Sequence, residues 1–283
     1  MTTPDRAPTA LSGRTAILAG NGRLPEILAD SLAAWMPKPF VIAVTDDAGV
    51  WVEQHDHARI PVTRLASIMN ALKAAGVDNI VLAGGIRARP SLANFKIDWT
   101  TIKMLIGLFL ALRKGDDGLL RFAIQWIETK GFKVVGAHEV APSLLTPEGR
   151  LTQLGPQGVD LADIAIAVAE ARKLGAADLG QAAVARDGVL VAVEDRKGTK
   201  AMLESLDRRQ NGISRTGVVA KFAKPQQELR VDLPAIGPET VAQAAEAGLA
   251  GIVVEAGKSL ILDRSITIAK ANELGIFIVG MRD

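Results

Sequence analysis

Short apolar runs alternate with amphipathic stretches along the first half of the chain. Residues 15–19 are apolar and lead into Gly20-Asn21-Gly22, after which an amphipathic stretch opens at Pro25. This order predicts a strand, a tight loop and a helix, since Pro is favoured at the start of a helix. A further apolar run, helical pattern and apolar run follow at 40–44, 65–75 and 79–83. The first half is therefore predicted to form a Rossmann-like unit with a mostly parallel sheet.

The second half predicts an α/β unit that begins differently. Two apolar runs, 181–185 and 189–193, flank Asp187-Gly188, and this pairing is the strongest short-range signal for a β-hairpin. Helical and strand patterns then alternate. The helices are expected at 160–174, 200–206, 240–247 and 263–274, and the strands at 218–221, 251–254 and 277–279.

Proline and glycine are dense between residues 142 and 158, as is typical of a connection between domains. We place the domain boundary near residue 137. The predicted organisation is a loose tail at 1–12, an N-terminal Rossmann-like domain at 13–137 and a C-terminal mixed α/β domain at 138–283. The predicted fold class is therefore α/β, with two α/β domains.

Two more helices are expected at 99–112 and 119–129, separated by a polar segment at 113–118. Gly and Asp in that segment predict a loop, and Asp116 and Asp117 could reach a metal or a nucleotide, or cap the following helix. The stretch 99–112 is too apolar all round for an ordinary surface helix. It is either a core helix or a wall for an acyl chain or a membrane-facing lid.

Composition and charge narrow the class of protein. Of the 283 residues, 48% are hydrophobic and 23% charged, which excludes disordered, collagenous and coiled-coil chains. A net charge of +2 argues against nucleic acid as the partner. The lack of cysteine excludes disulfides, thiolate metal sites and cysteine nucleophiles. Because residues 1–12 do not resemble a signal peptide and no apolar run approaches the ~20 residues of a spanning helix, we expect a cytoplasmic protein.

The most informative segment, residues 221–234, alternates charged with apolar residues. In an extended conformation Glu228, Arg230 and Asp232 would share one face of a strand. Cations there could pair with phosphate oxygens, while carboxylates could hold a hard cation such as Mg²⁺ or orient a water. A salt-bridged, solvated strand face explains the same pattern. Three further polar residues lie close in sequence: Lys221, Lys224 and Gln227.

Gly20-Asn21-Gly22, followed by Leu24 and Pro25, is similar to the opening of a dinucleotide-binding loop. Glycines there would let backbone N–H groups approach a phosphate at a helix N-terminus. Pro25 stands where the third glycine is expected. Nicotinamide-cofactor binding, a general phosphate loop and a purely structural turn therefore remain alternatives.

His55-Asp56-His57 has the residue types of a metal site. No further ligand follows at a fixed spacing, so a solvated loop is the favoured interpretation. Serine-nucleophile chemistry has no motif, because G-x-S-x-G is absent.

The motifs taken together resemble the LpxI-type UDP-2,3-diacylglucosamine pyrophosphatase family of lipid A biosynthesis. The resemblance runs from about residue 15 to residue 280 and keeps the motifs in order. They are AGNGRLP at 19–25, AGGIR at 83–87 with Arg89-Pro90, GDDG at 115–118, GAH at 136–138, KPQQELRVDLP at 224–234 with Ile236-Gly237, and AGLAGIVVEAG at 247–257.

The resemblance implies Mg²⁺-assisted hydrolysis, with Mn²⁺ as an alternative metal, of the pyrophosphate in UDP-2,3-diacylglucosamine. The products would be UMP and 2,3-diacylglucosamine 1-phosphate, lipid X, with the substrate enclosed between the two domains and catalysis in the second. Asp232 matches the essential acidic position and would be the metal ligand, with Gln227, Glu228 and Arg230 as its catalytic neighbours. The implied substrate-binding residues are Gly20, Asn21, Gly22, Leu24, Pro25, Asp116, Asp117, Thr199, Lys221 and Lys224.

Two positions depart from the family pattern. Glu228 stands where the family usually has Asp, which is a conservative change. Lys197 and Lys200 flank Gly198-Thr199, where the family often has acidic residues. Acidic roles are therefore not assigned at those two lysines.

Other functions remain open at this point. A nucleotide-sugar transferase would use the same cations but exclude water, and a non-catalytic carrier or sensor of a lipid-linked nucleotide sugar would bind without turnover. The lipid-linked substrate leaves room for peripheral association with the inner face of the cytoplasmic membrane, and a homodimer is a further expectation.

Overall fold

The computed structural model describes residues 11–34, 38–86, 115–206 and 215–282, and its contacts divide the chain into two compact units. The first unit comprises Met1–Ser143 and Glu228–Asp232, and the second comprises Leu144–Gln227 and Leu233–Asp283. The predicted helix at 99–112, residues 1–10 of the predicted tail, and the Arg87 and Arg89-Pro90 positions lie outside the described residues. Within the described ranges, no helix is long and apolar enough to cross a membrane.

The first unit alternates strands with helices, as the hydrophobic pattern predicts. Its strands are β1 (Arg14–Ala19), β2 (Phe40–Ala43), β3 (Asp56–Arg59), β4 (Val77–Ala83) and β5 (Lys133–Val135). Its helices are α1 (Leu24–Ala33), α2 (Leu65–Ala74), α3 (Gly115–Glu128) and α4 (Ala137–Val140), with a 3-10 helix at Val50–Gln54. The strands and helices predicted between residues 15 and 83 are confirmed to within a few residues at their ends.

The sheet of the first unit is entirely parallel, in the order β3-β2-β1-β4-β5. Every residue of β2 is buried, which shows that both faces of this strand are covered and explains its unbroken apolar run. Ile42 and Ile80 from the sheet pack in one core with Leu72 of α2 and Ile124 of α3. The predicted parallel sheet is therefore confirmed.

Two predictions for the first unit are wrong. Asp56 and His57, expected in a solvated loop, lie in the edge strand β3, whose exposed side chains give no apolar alternation to reveal it. The polar segment expected to be a loop is helical from Gly115 onward. Asp116 and Asp117 therefore lie in the backbone of α3 and not in a loop.

The second unit contains more and shorter strands than its pattern predicts. Its strands are β6 (Gly149–Arg150), β7 (Ala182–Arg186), β8 (Val189–Val193), β9 (Val218–Lys221), β10 (Ala235–Ile236), β11 (Gly251–Glu255), β12 (Leu260–Ile261) and β13 (Phe277–Met281). Its helices are α5 (Gly158–Ala176), α6 (Gly198–Glu204), α7 (Pro238–Glu246) and α8 (Arg264–Glu273). The predicted elements are present, and the two-residue strands β6, β10 and β12 are too short to show a period.

The larger sheet of the second unit is mixed, in the order β6-β13-β11-β9-β7-β8. Its centre, β9, β11 and β13, is parallel, and β7 runs antiparallel to β9. Alternate residues enter two cores, with Val219 and Ile252 in one and Val218 and Val253 in the other. Helices α7 and α8 pack into the first core and α5 into the second. Two buried faces again explain the apolar runs of the central strands.

The hairpin predicted at Asp187-Gly188 is confirmed. β7 and β8 pair antiparallel, and both turn residues have positive φ, 54° for Asp187 and 78° for Gly188. Asp163 of α5 is 2% exposed and accepts hydrogen bonds from the backbone N–H of Gly188, at 2.7 Å, and of Asp187, at 3.2 Å. A buried carboxylate thus satisfies the turn amides that the ladder leaves unpaired.

Gly280 of β13 offers a direct test of the packing in the second unit. A Cβ built at this position would lie 2.0 Å from the carbonyl oxygen of Pro147, a backbone atom that cannot swing aside. Gly280→Ala is therefore expected to lower the free energy of unfolding by roughly 1–3 kcal/mol or more, measured by urea denaturation.

Gly158→Ala is the matched control, because a Cβ at this first residue of α5 meets no atom within 4 Å. We expect it to be neutral or to stabilise the protein by up to about 1 kcal/mol. Equal changes in the two variants would show that the close approach at Gly280 is not part of the fold.

Candidate active site

The charged segment is not a strand beyond Lys221, the last residue of β9. Its chain folds into two successive turns, the first closed by the Gln227 N–H donating to the Lys224 carbonyl at 3.0 Å. In the second, the N–H groups of Val231 and Asp232 both donate to the Glu228 carbonyl at 3.0 Å. The prediction of one extended charged face is therefore wrong. Pro225 supplies a physical reason, because its fixed φ suits the second position of a turn.

Glu228, Arg230 and Glu128 form an ion-pair network in the first unit. Arg230 donates from Nε to Glu228 Oε1 at 2.9 Å and from Nη2 to Glu228 Oε2 at 3.0 Å, a bidentate arrangement. Its Nη1 reaches Glu128 Oε1 of α3 at 2.9 Å. All three guanidinium nitrogens therefore have carboxylate partners within this network.

The same network sets the protonation of its members. The hydrogen bonds from the Arg230 side chain lower the pKa of the Glu228 carboxyl below its ordinary value of 4.5, against an opposing effect of burial. The Glu228 hydrogen bonds in turn raise the pKa of Arg230. At neutral pH the pair is fully charged, so Glu228 acts as a fixed acceptor for Arg230.

The turn that carries Asp232 also packs against the first unit through apolar and backbone contacts. Val231 packs against the core that contains Ile80 and Ile124. The Arg230 Cα lies close enough to Gly136 that a Cβ there would be 3.3 Å away, and the His138 ring would be closer still, at 2.4 Å. The glycine of the GAH motif, which has no Cβ, therefore leaves space for both the His138 ring and the turn that contains Arg230.

His138 is a residue that the sequence analysis did not single out for chemistry. Its Nδ1 is buried and makes no hydrogen bond in the described structure. An unpaired buried polar atom is uncommon, because it forfeits its bond to water. The GAH motif at 136–138 was the one signal in the sequence that included it, and that motif assigned it no role.

The glycine-rich loops after β1 and β4 are joined to each other. The N–H of Gly20 donates to the Ala83 carbonyl at 2.8 Å, and Asn21 and Gly85 exchange two backbone hydrogen bonds of 2.8 and 3.0 Å. A Cβ at Gly20 would lie 2.6 Å from the Gly85 oxygen, and one at Gly84 would lie 2.5 Å from the Asn21 oxygen. These glycines therefore permit a close crossing of two loops.

These bonds bear on the phosphate-loop hypothesis. β1 and β4 flank the point where the strand order reverses, which is where parallel α/β sheets bind ligands. The N–H groups of Gly20 and Asn21 already donate to carbonyls, however, so they do not offer free donors to a phosphate. Gly22 has a φ of 101°, and Leu24 and Pro25 begin α1. Substrate binding by these residues stays a prediction.

Lys221, Lys224 and Gln227 belong to the second unit: Lys221 is the last residue of β9, and Lys224 and Gln227 lie on the loop that follows it. Lys221 Nζ donates to the Ala235 carbonyl at 3.2 Å, and Lys224 Nζ pairs with Asp178 at 2.8 Å. Gln227 is 8% exposed, and its Oε1 accepts the Lys224 N–H at 2.9 Å. Contacts on both sides thus give this loop a defined shape.

Thr199 connects to the same loop through a buried acid. Its hydroxyl donates to Glu194 Oε1 at 2.8 Å, and the other oxygen of Glu194 accepts the Gln181 N–H at 2.8 Å. The Gln181 carbonyl then accepts the N–H of Phe222 at 2.9 Å. Glu194 is 7% exposed and lay outside the predicted set, because only the fold brings it to Thr199.

A resident metal centre is not evident in the described part of the chain, where no group of three or more His, Cys, Asp or Glu side chains could hold a metal ion. His55 and His57 accordingly gather no further ligands there. Glu228 has both oxygens bonded to Arg230. The side chains of Asp116 and Asp117 lie outside the description, so their proposed role is untested.

The geometry defines an α/β protein of two units, in which Gly20, Asn21 and Gly22 follow the parallel strand β1 and Lys224 and Gln227 follow the parallel strand β9. Family models for the LpxI N-terminal domain and the LpxI C-terminal domain match residues 14–144 and 147–279. The UDP-2,3-diacylglucosamine pyrophosphatase LpxI of Caulobacter vibrioides is 40% identical over 270 residues, which cover 94% of this chain and 96% of that protein. The chain therefore belongs to the LpxI family.

Among solved structures, CobK precorrin-6A reductase is similar over 96% of this chain and 88% of its own. The identity is 11% and the TM-score 0.32, values too low to support a statement about function.

The lowered pKa of Glu228 makes a prediction about stability and pH. Ionised Glu228 stabilises the folded state fully above its unfolded pKa, and this contribution is lost as pH falls through the lower folded pKa. Glu228→Gln should therefore reduce the free energy of unfolding at pH 7, and its difference from wild type should shrink as pH falls below about 4.5. Urea denaturation at a series of pH values measures both effects.

Glu204→Gln serves as the control for this experiment. Its side chain is 57% exposed and faces Lys200 at 4.0 Å, a surface pair of the kind that contributes little. A gap between wild type and Glu228→Gln that stays constant down to pH 3 would contradict the assignment of the ion pair.

Proposed function

We propose that this chain hydrolyses the pyrophosphate bond of UDP-2,3-diacylglucosamine, a phosphoric anhydride, to UMP and 2,3-diacylglucosamine 1-phosphate. The observation that carries the proposal is 40% identity, across nearly the whole length of both proteins, to a UDP-2,3-diacylglucosamine pyrophosphatase. Both family models in their expected order add to it. The reaction consumes one water and breaks one P–O bond of the anhydride.

Asp232 is our candidate for the essential acid of this reaction. It follows the turn in which Glu228 is held by Arg230, so its backbone position is fixed by the Asp232 N–H bond to the Glu228 carbonyl. A carboxylate at such a position can orient a water and accept its proton. Because Arg230 serves Glu228 and Glu128, we assign it to holding this turn, together with Glu228, and not to direct contact with phosphate.

Lys221, Lys224 and Gln227 are also assigned roles in the reaction. The Lys221 ammonium donates to the Ala235 carbonyl and the Lys224 ammonium pairs with Asp178, and both cations belong to the segment at the end of β9. We assign them to neutralising charge on the phosphate oxygens. Gln227 fixes the Lys224 backbone, and Thr199 is held by Glu194 as a substrate contact.

The proposed reaction includes Mg²⁺, and the carboxylates near Asp232 decide whether the protein could hold this ion. Asp232 is a partly exposed acid, and both oxygens of Glu228 are bonded to Arg230. Mg²⁺ in phosphate sites is commonly held by one or two carboxylates together with substrate oxygens and water. The residues therefore fit a metal that enters with the pyrophosphate, where it would neutralise charge on the phosphate oxygens, with Mn²⁺ as a substitute.

The substrate also bears on where the protein works. A molecule with two acyl chains partitions into a bilayer, so we place the reaction at the inner face of the cytoplasmic membrane, with the protein bound peripherally. A homodimer stays a prediction.

Stoichiometric UMP release without an acceptor would separate hydrolysis from sugar transfer, and tight binding without turnover would favour a carrier or sensor.

Asp232→Ala and Asp232→Asn are expected to lower kcat for UMP release by at least about 100-fold while leaving the fold intact. The side chain is partly exposed and leaves the Val231 contact with the core unchanged. Circular dichroism and substrate binding should match wild type. Asp30→Asn, an exposed acid on α1, is the control and should retain full activity. Near-normal turnover in folded Asp232→Asn would remove Asp232 from the mechanism.

A metal requirement is the second prediction from this function. After dialysis against a chelator the protein should lose hydrolysis, and added Mg²⁺ or Mn²⁺ should restore it. Because the metal would enter with the pyrophosphate, Mg²⁺ alone should bind weakly in calorimetry and tighten when a non-hydrolysable UDP-sugar analogue is present. Full activity after exhaustive chelation would contradict the requirement.

A further inference from the structure

Glu255 is a buried acid at the carboxyl end of β11, in the middle of the larger sheet of the second unit. It is 4% exposed, and it follows Val254, whose partner on the neighbouring strand β9 is Lys221. An ionised carboxylate in such a place is costly unless it is paired and hydrogen-bonded. The hydrogen-bond partners of Glu255 therefore indicate which part of the structure it stabilises.

Each oxygen of Glu255 has a defined partner. Oε2 accepts the backbone N–H of Ala223 at 3.0 Å, and Oε1 accepts Lys258 Nζ at 2.8 Å. Its main-chain carbonyl accepts the hydroxyl of Ser259 at 2.7 Å, and that hydroxyl lies 2.8 Å from the hydroxyl of Thr146. Ser259 and Thr146 are each 1% exposed, so buried hydroxyls hold the main chain of Glu255.

Ala223 lies at the start of the loop that carries Lys224 and Gln227. The N–H before it, of Phe222, belongs to the pairing with Gln181, so Ala223 provides the first amide beyond the sheet. The next amide, of Lys224, donates to Gln227 Oε1. Glu255 thus fixes the backbone at the point where the loop leaves β9. The positions of Lys224 and Gln227 depend on the direction that the chain takes from there.

We propose that Glu255 is a positioning residue for the hydrolysis, acting through the Ala223 N–H on the placement of Lys224 and Gln227. This inference rests on the proposed function. Displacing a binding group by about 1 Å can cost on the order of 100-fold in rate. The tether therefore matters for turnover beyond its contribution to folding.

Two variants separate the tether from the charge of Glu255. Glu255→Gln keeps the length and an acceptor oxygen for Ala223 but removes the charge. Glu255→Asp keeps the charge but withdraws the carboxylate by about 1.5 Å, the length of one C–C bond. If the tether positions the loop, Glu255→Asp should lose about 10- to 100-fold in kcat with a smaller change in KM, and Glu255→Gln should stay within about threefold.

Two controls cover the other roles that Glu255 could have. Lys258→Met removes the charged partner of the buried Glu255 and leaves the Ala223 bond, so it should lower the melting temperature but keep kcat of the folded protein within about threefold. Asp163→Asn alters another buried acid of the same unit that accepts backbone amides, at the β7–β8 turn. It should lower the melting temperature without changing kcat of the folded protein.

Hydrogen exchange of the Ala223 amide supplies a readout independent of catalysis. We expect faster exchange in Glu255→Asp than in wild type, Glu255→Gln or Asp163→Asn. Wild-type kcat in folded Glu255→Asp would overturn the proposal, as would equal losses in Glu255→Gln and Lys258→Met, which would assign the effect to the ion pair. A wild-type protein that releases no UMP would contradict the proposed function alone, and the Ala223 exchange rates would still support or overturn the tether.

Discussion

Backbone amides at the ends of secondary-structure elements need acceptors, and in this protein buried side chains supply several of them. Asp160, Asp163, Glu194 and Glu255 are each at most 7% exposed, and each accepts at least one loop or turn N–H. Removing such an acceptor leaves a desolvated donor, which is more costly than losing an ordinary hydrogen bond. The directions in which these loops leave the sheet therefore depend on a few carboxylates.

The same constraint links the separate residues of the second unit into one arrangement. Glu194 holds both Thr199 and Gln181, and the Gln181 carbonyl holds Phe222. Glu255 then holds the amide that follows Phe222. The loop with Lys224 is consequently fixed from two buried acids before any ligand arrives, and preorganised charges of this kind need little rearrangement when charge develops on a phosphate.

Hydrophobic pattern was a good guide to the fold where strands and helices are buried on a regular period. It placed β1, β2, β4, β9 and β11 and the Asp187-Gly188 hairpin, because those elements owe their stability to apolar contacts that recur along the chain. It failed at β3, which is exposed, and at the two-residue strands. It also failed at Glu228–Asp232, where the alternation of charged and apolar residues comes from a turn whose Val231 side chain enters the core.

The sequence predicted only part of the candidate site, for a related reason. Lys224, Gln227 and Asp232 could be named because they are close in sequence, whereas their supports are distant. Glu128 lies 102 residues from Arg230, and Glu255 lies 32 residues from Ala223. A single sequence carries no signal for such pairs, since an isolated acid at the end of an apolar run has the same appearance whether it holds an amide or faces solvent.

In the glycine-rich loops, the acceptors of the backbone amides change the functional interpretation. A Gly20-Asn21-Gly22 loop after a first parallel strand favours phosphate binding by backbone amides. Here the Gly20 and Asn21 amides donate to Ala83 at the end of β4 and to Gly85 just beyond it, so the glycines serve a close backbone crossing. In the proposed reaction, neutralisation of the pyrophosphate charge is therefore assigned to Lys221, to Lys224 and to a metal that Asp232 would help to hold.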